Sequence, residues 1–483
     1  MLFAFFLLAS LHLRVTSGGH PAVARVYITD SAGKAWRIPG TVGYTRRLET
    51  HSIVDREAAA EFPPGTYTIR AEKGCEYLPV SKTVELGSAA ASVNLEVPRF
   101  RDMNQRGWYS GDLHIHRDAA EMPLLMAAED LNIGPTIMRH VGGTRPPQLS
   151  FPAANPKPLD ATHVLSLQNQ EVERLFRGYG AVILLNMPEP VEEKPADLFP
   201  LDVEFCRRAR ALGGFVDGEK PIWKHVPVNV ALEALDAIGV VNNHFHPHDT
   251  MLDAEKYGSM EREKPEYKTV AGFAQWMMDL YYSFLNCGFR IPVSAGSASG
   301  VMGSWIGYER VYVKLSGPFS YAQWFRDLKA GRSIATNGPL LEVEADGKAP
   351  GAEFAWKPGM KVRLAISLHS QEANERVEVI YNGKVIGAGS IREVSIPEPG
   401  WLAVRAIGPA TETIRYAHSS PFYFTRDGKL PVKKADAERW AEYIRRLAEG
   451  ADRADYPSAE AYQKALATFR EAEEVYRRRA GQM

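Results

Sequence analysis

The residues with the most chemistry in this 483-residue chain lie in Gly111-Asp-Leu-His-Ile-His116. Side chains two apart on a β-strand point to one face, so a short strand ending in His114 and His116 offers two neutral nitrogen ligands to one metal ion. The plain alternative is two histidines sharing a strand by chance. Asp112, able to orient an imidazole from behind, weighs against it, as do the groups that follow. These are Glu171 and Glu173 in Gln168-Asn-Gln-Glu-Val-Glu-Arg174, and His244, His246 and His248 in Asn242-Asn-His-Phe-His-Pro-His-Asp249. A carboxylate joined to two or three imidazoles suits a hydrolytic Zn²⁺ site that keeps one position for water, whose pKa the ion lowers to about 7. His114, His116, Glu171 and His244 are the expected ligands. Glu173 stays open as the alternative to Glu171, the plain reading of both being a solvated pair held by Arg174. His246 and His248 read as loop histidines in water or substrate contacts.

Strand-like and helical runs alternate from 103 to 337, which argues for an α/β domain with a mainly parallel sheet, open or closed into a barrel. Function in such folds collects where strands end, and the candidate ligands fall there. Residues 22–100 alternate apolar and polar side chains between turns such as Pro63-Pro-Gly65, the pattern of a small β-sandwich. A second sandwich is expected over 338–427, with a hairpin at Asn382-Gly383. Two helices with apolar residues at helical spacing are expected within 434–483.

Composition narrows the partners. A formal net charge of -1 and the lack of a long Lys/Arg run give no field for nucleic acid, leaving a small-molecule substrate as the expected partner. The 3 cysteines, Cys75, Cys206 and Cys287, are too scattered for a thiolate metal site, although one disulfide stays open. The apolar start, Met1 to Leu13, followed by small residues near Ser17 and Gly18, reads as a signal peptide over 1–18 or an uncleaved anchor, and implies export to a periplasmic or extracellular location. No other stretch approaches transmembrane length.

Taken in order, Gly111-Asp-Leu-His-Ile-His116, the Glu-bearing strand end at 169–174, Ala181-Val-Ile-Leu-Leu-Asn186, Gly213-Gly-Phe-Val-Asp217 and Gly331-Arg-Ser-Ile-Ala-Thr-Asn-Gly-Pro-Leu-Leu341 resemble the CehA/McbA family of metallohydrolases, relatives of the PHP (polymerase and histidinol phosphatase) barrel. The resemblance covers roughly 105 to 425. It implies an α/β fold in which a PHP-like distorted (β/α)7 barrel is flanked by N-terminal and C-terminal β-sandwich domains, and it implies hydrolysis of ester-like or carbamate-like bonds. The chain departs from the PHP pattern at three points. Met138-Arg139-His140 stands where an Asp-His pair is usual, Gly296-Ser-Ala-Ser-Gly300 replaces Gly-Ser-Asp-x-His, and Asp217-Gly-Glu-Lys-Pro221 replaces a histidine. What survives implies one divalent ion, Zn²⁺ with Mn²⁺ or Fe²⁺ open, Glu219 being a possible substitute ligand. Glu173 or Glu219 is then the general base, Lys220 an electrophile or a partner that lowers the Glu219 pKa, and Arg139 or Arg117 a grip for a carboxylate or phosphate. The plain readings are an external Glu219–Lys220 pair and structural salt bridges. A non-catalytic ligand- or glycan-binding protein on an eroded barrel is the other functional class.

Overall fold

The computed structural model describes residues 8–141, 155–174, 179–191, 198–372 and 374–481. Its architecture is mixed α/β.

At the N-terminal end two sheets share one apolar core that includes Leu11, Val26, Ile69 and Leu95. One sheet runs Gly43–Arg46, Glu49–Asp55, Val23–Asp30, Gly65–Glu72, Val80–Leu86. In the other, Ala9–Ser17 lies between Ala91–Glu96, which it meets in parallel, and Glu57–Phe62, which it meets antiparallel. The stretch expected as the end of a signal peptide is therefore a central strand. Leu11, Leu13 and Val15 alternate into the core, and cleavage near Ser17 would remove them. The reason is its period-two patterning, which an export signal does not need and a half-buried strand does. Residues 1–7, the rest of that expected segment, lie outside the described residues.

In the middle of the chain, Trp108–Gly111, Ile133–Pro135 and Val164–Ser166 pair in parallel, as do Arg139–Val141 with Gln170–Arg174 and Ile238–Asn242 with Val293–Gly296. Gly180–Leu185 lies between Gln170–Arg174 and Phe215–Asp217 and is antiparallel to both, and Trp108–Gly111 also pairs antiparallel with Arg310–Lys314. The expectation of a mainly parallel arrangement is thus corrected to a mixed one. The link from Arg174 to Gly180 is too short for a parallel crossover and long enough for a hairpin.

A single sheet continues past residue 337, where Ser333–Thr336 pairs with Tyr416–Ser419 and leads on to Gly400–Ile407 and Arg376–Tyr381. Helix Val270–Asn286 starts where the Thr269 side chain accepts the Gly272 N–H, and it buries most of its length. Helices Lys434–Glu449 and Ala459–Ala480 pack back on this region. Trp440 Nε1 donates to Ser283 Oγ at 2.9 Å, and the Tyr476 hydroxyl donates to the Pro227 carbonyl at 3.1 Å. All 3 cysteines are free, which closes the disulfide question. No described helix is long and apolar enough to cross a membrane.

Candidate metal centre

Past Gly111 the chain continues as an irregular strand between two neighbours. Leu113 N–H donates to Ala295 O at 3.1 Å, His116 N–H donates to Ser299 O at 2.7 Å, and Ile115 bridges to Thr136. The approach is close enough to demand glycine at 296, where a Cβ would come within 2.5 Å of the His114 Cβ. Asp112 holds this turn together by accepting the N–H groups of His114 (3.1 Å), Ser297 (3.0 Å) and Gly307 (2.7 Å), and the Ser297 hydroxyl. It thus fixes the backbone of His114, where the sequence suggested that it orients a ring. Burial raises its pKa.

The two imidazoles converge. His114 Nε2 and His116 Nε2 are 2.9 Å apart, and Glu171 reaches both, with Oε1 3.3 Å from His114 Nε2 and Oε2 3.1 Å from His116 Nε2. Three donors bound to one ion at ~2.0–2.1 Å have separations of this size, so the set fits a metal. Glu171 and Glu173 share a face of Gln170–Arg174, as the spacing predicts. In the adjacent parallel strand His140 stands in register with Glu171, its Nε2 3.0 Å from Glu171 Oε2 and 2.8 Å from Glu173 Oε2. Two ligand groups therefore overlap at Glu171: His114, His116 and Glu171, then His140, Glu171 and Glu173. His140 is the residue that the expected ligand set omitted. Its sequence signal was its place in Met138-Arg139-His140, where the resemblance to PHP barrels implies a retained histidine beside a carboxylate replaced by a cation.

Electrostatics binds the groups tightly. Burial alone would raise the Glu171 pKa, but His114 and His116 outweigh it and hold the carboxyl well below its usual range. Burial would likewise lower His114 and His140, yet the facing carboxylates bring each up to about 10, while burial leaves His116 depressed to about 4. Glu173 is raised by burial and by the neighbouring Glu171 charge. Three imidazoles around two carboxylates can be joined by shared protons or by a cation, and the ligand types suit Zn²⁺, Mn²⁺ and Fe²⁺ alike.

Glu219 lies behind this cluster. Its Oε1 is 3.2 Å from His114 Nδ1 and is also gripped by Lys220 Nζ, while Oε2 accepts the Trp223 indole N–H. Burial would raise the Glu219 pKa, but Lys220 and His114 carry it down to about 2. A carboxylate so engaged fits a role in fixing the His114 tautomer, with Nδ1 protonated and Nε2 presented to the metal, better than one as ligand or base. Lys220 is buried against Glu219 and the Trp223 ring (4.8 Å), so the external pair expected as the plain reading is an internal one.

Other candidates fall elsewhere. His244 is buried, with Nδ1 3.1 Å from the Met251 carbonyl and its ring stacked on Phe273, and it joins neither ligand group. Burial keeps its pKa well below the usual value. Strand alternation places Arg139 on the face opposite His140. Arg117 pairs with Glu121 at 2.7 Å, and Arg174 pairs with Asp202 at 3.1 Å instead of holding the acidic pair. Ser294 and Ser297 donate their hydroxyls to Asp217 and Asp112.

Neither a family model nor a curated protein sequence matches the chain. Among solved structures, the TIE protein of Bacillus anthracis aligns over 87% of this chain and 48% of its own, with 8% identity and a TM-score of 0.15. The β-glucuronidase of Parabacteroides merdae aligns over 84% and 60%, with 9% identity and a TM-score of 0.15. The chain thus spans less than two thirds of either structure's length, and likenesses this loose carry no argument about fold or activity.

Proposed function

We propose that this chain is a metal-dependent hydrolase of small molecules, built on a PHP-like distorted barrel akin to the CehA/McbA family and flanked by sandwich-type domains. The observation that carries this reading is the convergence of His114, His116 and Glu171, with His140 and Glu173 on the other side of the shared carboxylate. A divalent ion bound there, Zn²⁺ being the first choice, supplies Lewis acidity and a water that ionises near neutral pH. His114, His116 and Glu171 would hold it, with Glu219 setting the His114 ring. Glu173, the more exposed of the two strand-end carboxylates at 21%, is placed to take a proton from the attacking water. The substrate class is an ester, carbamate or phosphoester. A non-catalytic ligand-binding protein is the second reading, supported by Ala298 and Gly300, which stand where the PHP pattern Gly-Ser-Asp-x-His has its Asp and His ligands and offer no ligand atom in their side chains.

The two readings separate on one experiment. Purified protein with measured Zn²⁺, Mn²⁺ and Fe²⁺ content is assayed on p-nitrophenyl acetate, a nitrophenyl carbamate and p-nitrophenyl phosphate. Metal-dependent turnover that disappears in His116→Ala supports the hydrolase, and saturable metal without turnover of any ester supports the binding protein.

A further inference from the structure

His246 belongs to neither ligand group, yet it is held on one side and unmet on the other. Its loop follows Ile238–Asn242, in which Asn242 pairs with Gly296, the residue packed against His114, so the loop stands on the rim of the candidate centre. Its Nδ1 is 3.1 Å from Arg47 Nη1 and 3.1 Å from Asp249 Oδ1, and Arg47 Nη2 is 2.9 Å from Asp249 Oδ2. His246 Nε2 is buried with no hydrogen-bond partner, in a residue only 1% exposed. A guanidinium can only donate and a carboxylate only accept, so Arg47 and Asp249 compete for Nδ1; in the tautomer that takes the Arg47 bond, with Asp249 held by the Arg47 Nη2, the ring proton sits on Nε2. A buried donor left without an acceptor costs ~1–3 kcal/mol, which a bound oxygen would recover.

Arg47 comes from the N-terminal sheets. It forms the turn between Gly43–Arg46 and Glu49–Asp55 at φ 53°, with its side chain 40% exposed. The same hairpin is seated on the loop that backs His116. Arg46 Nη1 donates to the Val301 carbonyl at 2.7 Å, and the Tyr44 hydroxyl accepts the Gly300 N–H at 3.0 Å. Gly303 makes room for the pair, since a Cβ there would lie 3.0 Å from Arg47 Cδ and 3.4 Å from His246 Cγ. A half-exposed guanidinium beside an imidazole N–H donor is the chemistry of oxyanion capture.

We propose that Arg47 and His246 form a subsite for an anionic oxygen group of the substrate, a carboxylate or phosphate remote from the bond that is cut. The subsite rests on the hydrolase reading for its link to catalysis, and its ligand binding can be measured without catalysis. Asp249 holds Arg47 in place through the Nη2 contact at 2.9 Å. The N-terminal sheets thereby supply part of the substrate specificity.

The test is calorimetric titration of succinate, and separately of inorganic phosphate, into the full-length metal-loaded chain and into Arg47→Met, Arg47→Lys and His246→Asn. The subsite predicts saturable binding of one of these anions that weakens roughly tenfold in Arg47→Met and in His246→Asn, about the worth of one charge-assisted hydrogen bond, and less in Arg47→Lys. The preferred anion identifies the group. Equal binding by wild type and all variants, or no saturable binding of either anion, overturns it. A misfolded variant is recognised by its melting midpoint, and Arg47→Lys then carries the comparison. With p-nitrophenyl acetate and mono(p-nitrophenyl) succinate, the KM ratio of anionic to neutral ester should rise in the same variants. Variant-sensitive anion binding without hydrolysis of either ester leaves the subsite standing and removes the hydrolase.

Discussion

Two histidine-rich stretches of this chain look alike on paper and behave differently in the fold. His114 and His116 are two residues apart, and so are His244, His246 and His248. The first pair brings its Nε2 atoms within 2.9 Å of each other and onto one carboxylate. The second set disperses: His244 turns to the Met251 carbonyl, His246 to Arg47 and Asp249, and His248 to Glu49 at 2.7 Å. Spacing alone does not make a metal site. What separates the two stretches is that one carboxylate, Glu171, meets both imidazoles of the first, whereas His246 and His248 meet separate ones, Asp249 and Glu49. Glu171 lies across from the first pair, in register with His140, whereas the three histidines of 244–248 point to three different partners.

The largest expected effect strikes the feature unique to the first stretch. Glu171→Gln removes the shared anion from both ligand groups, so metal affinity and activity should fall by more than the ~10- to 100-fold typical of an outer partner, with only neutral imidazoles and Glu173 left to hold a divalent ion. Metal content after dialysis against a chelator checks this, and retention of metal would mean that Glu171 is not the hub. A smaller effect is expected at Glu219→Gln, which keeps a group near His114 Nδ1 but loses the charge. Affinity should drop ~10- to 100-fold while metal stoichiometry at saturation is kept. Loss of stoichiometry would instead make Glu219 a ligand.

The smallest effect belongs to the second stretch and reads out as stability. Burial would raise the Glu49 pKa, but its hydrogen bonds from His248 and His51 bring it down to about 2, below the ordinary 4.5. A depressed carboxylate contributes stability that is complete above its unfolded pKa and is lost as pH falls toward its folded one. Glu49→Gln should therefore melt earlier than wild type at pH 7, and the gap should close between pH 4.5 and about 2. A gap independent of pH would assign the loss to packing.

Much of this was legible in residue patterns. The period-two runs of 22–100 and the strand-end positions of His114, His116, Glu171 and Glu173 follow from side-chain alternation, a local property. Convergence is not local. That His140 joins Glu171 while His244 does not depends on which strands become neighbours, which no spacing within either stretch encodes. Nor could spacing show that Glu219 spends both oxygens on His114, Lys220 and Trp223. The start of the chain shows the same limit, since apolar residues serve an export segment and a core strand equally, and the pairing of 9–17 with 57–62 and 91–96 is not written in that stretch.

The most direct test of the central claim is the Zn²⁺ affinity of the purified chain, measured by competition with a chromophoric chelator in wild type, His116→Ala and His244→Ala. The predicted result is tight binding that collapses in His116→Ala and is unchanged in His244→Ala. Binding that survives the loss of His116 and fails with the loss of His244 would contradict the site described here.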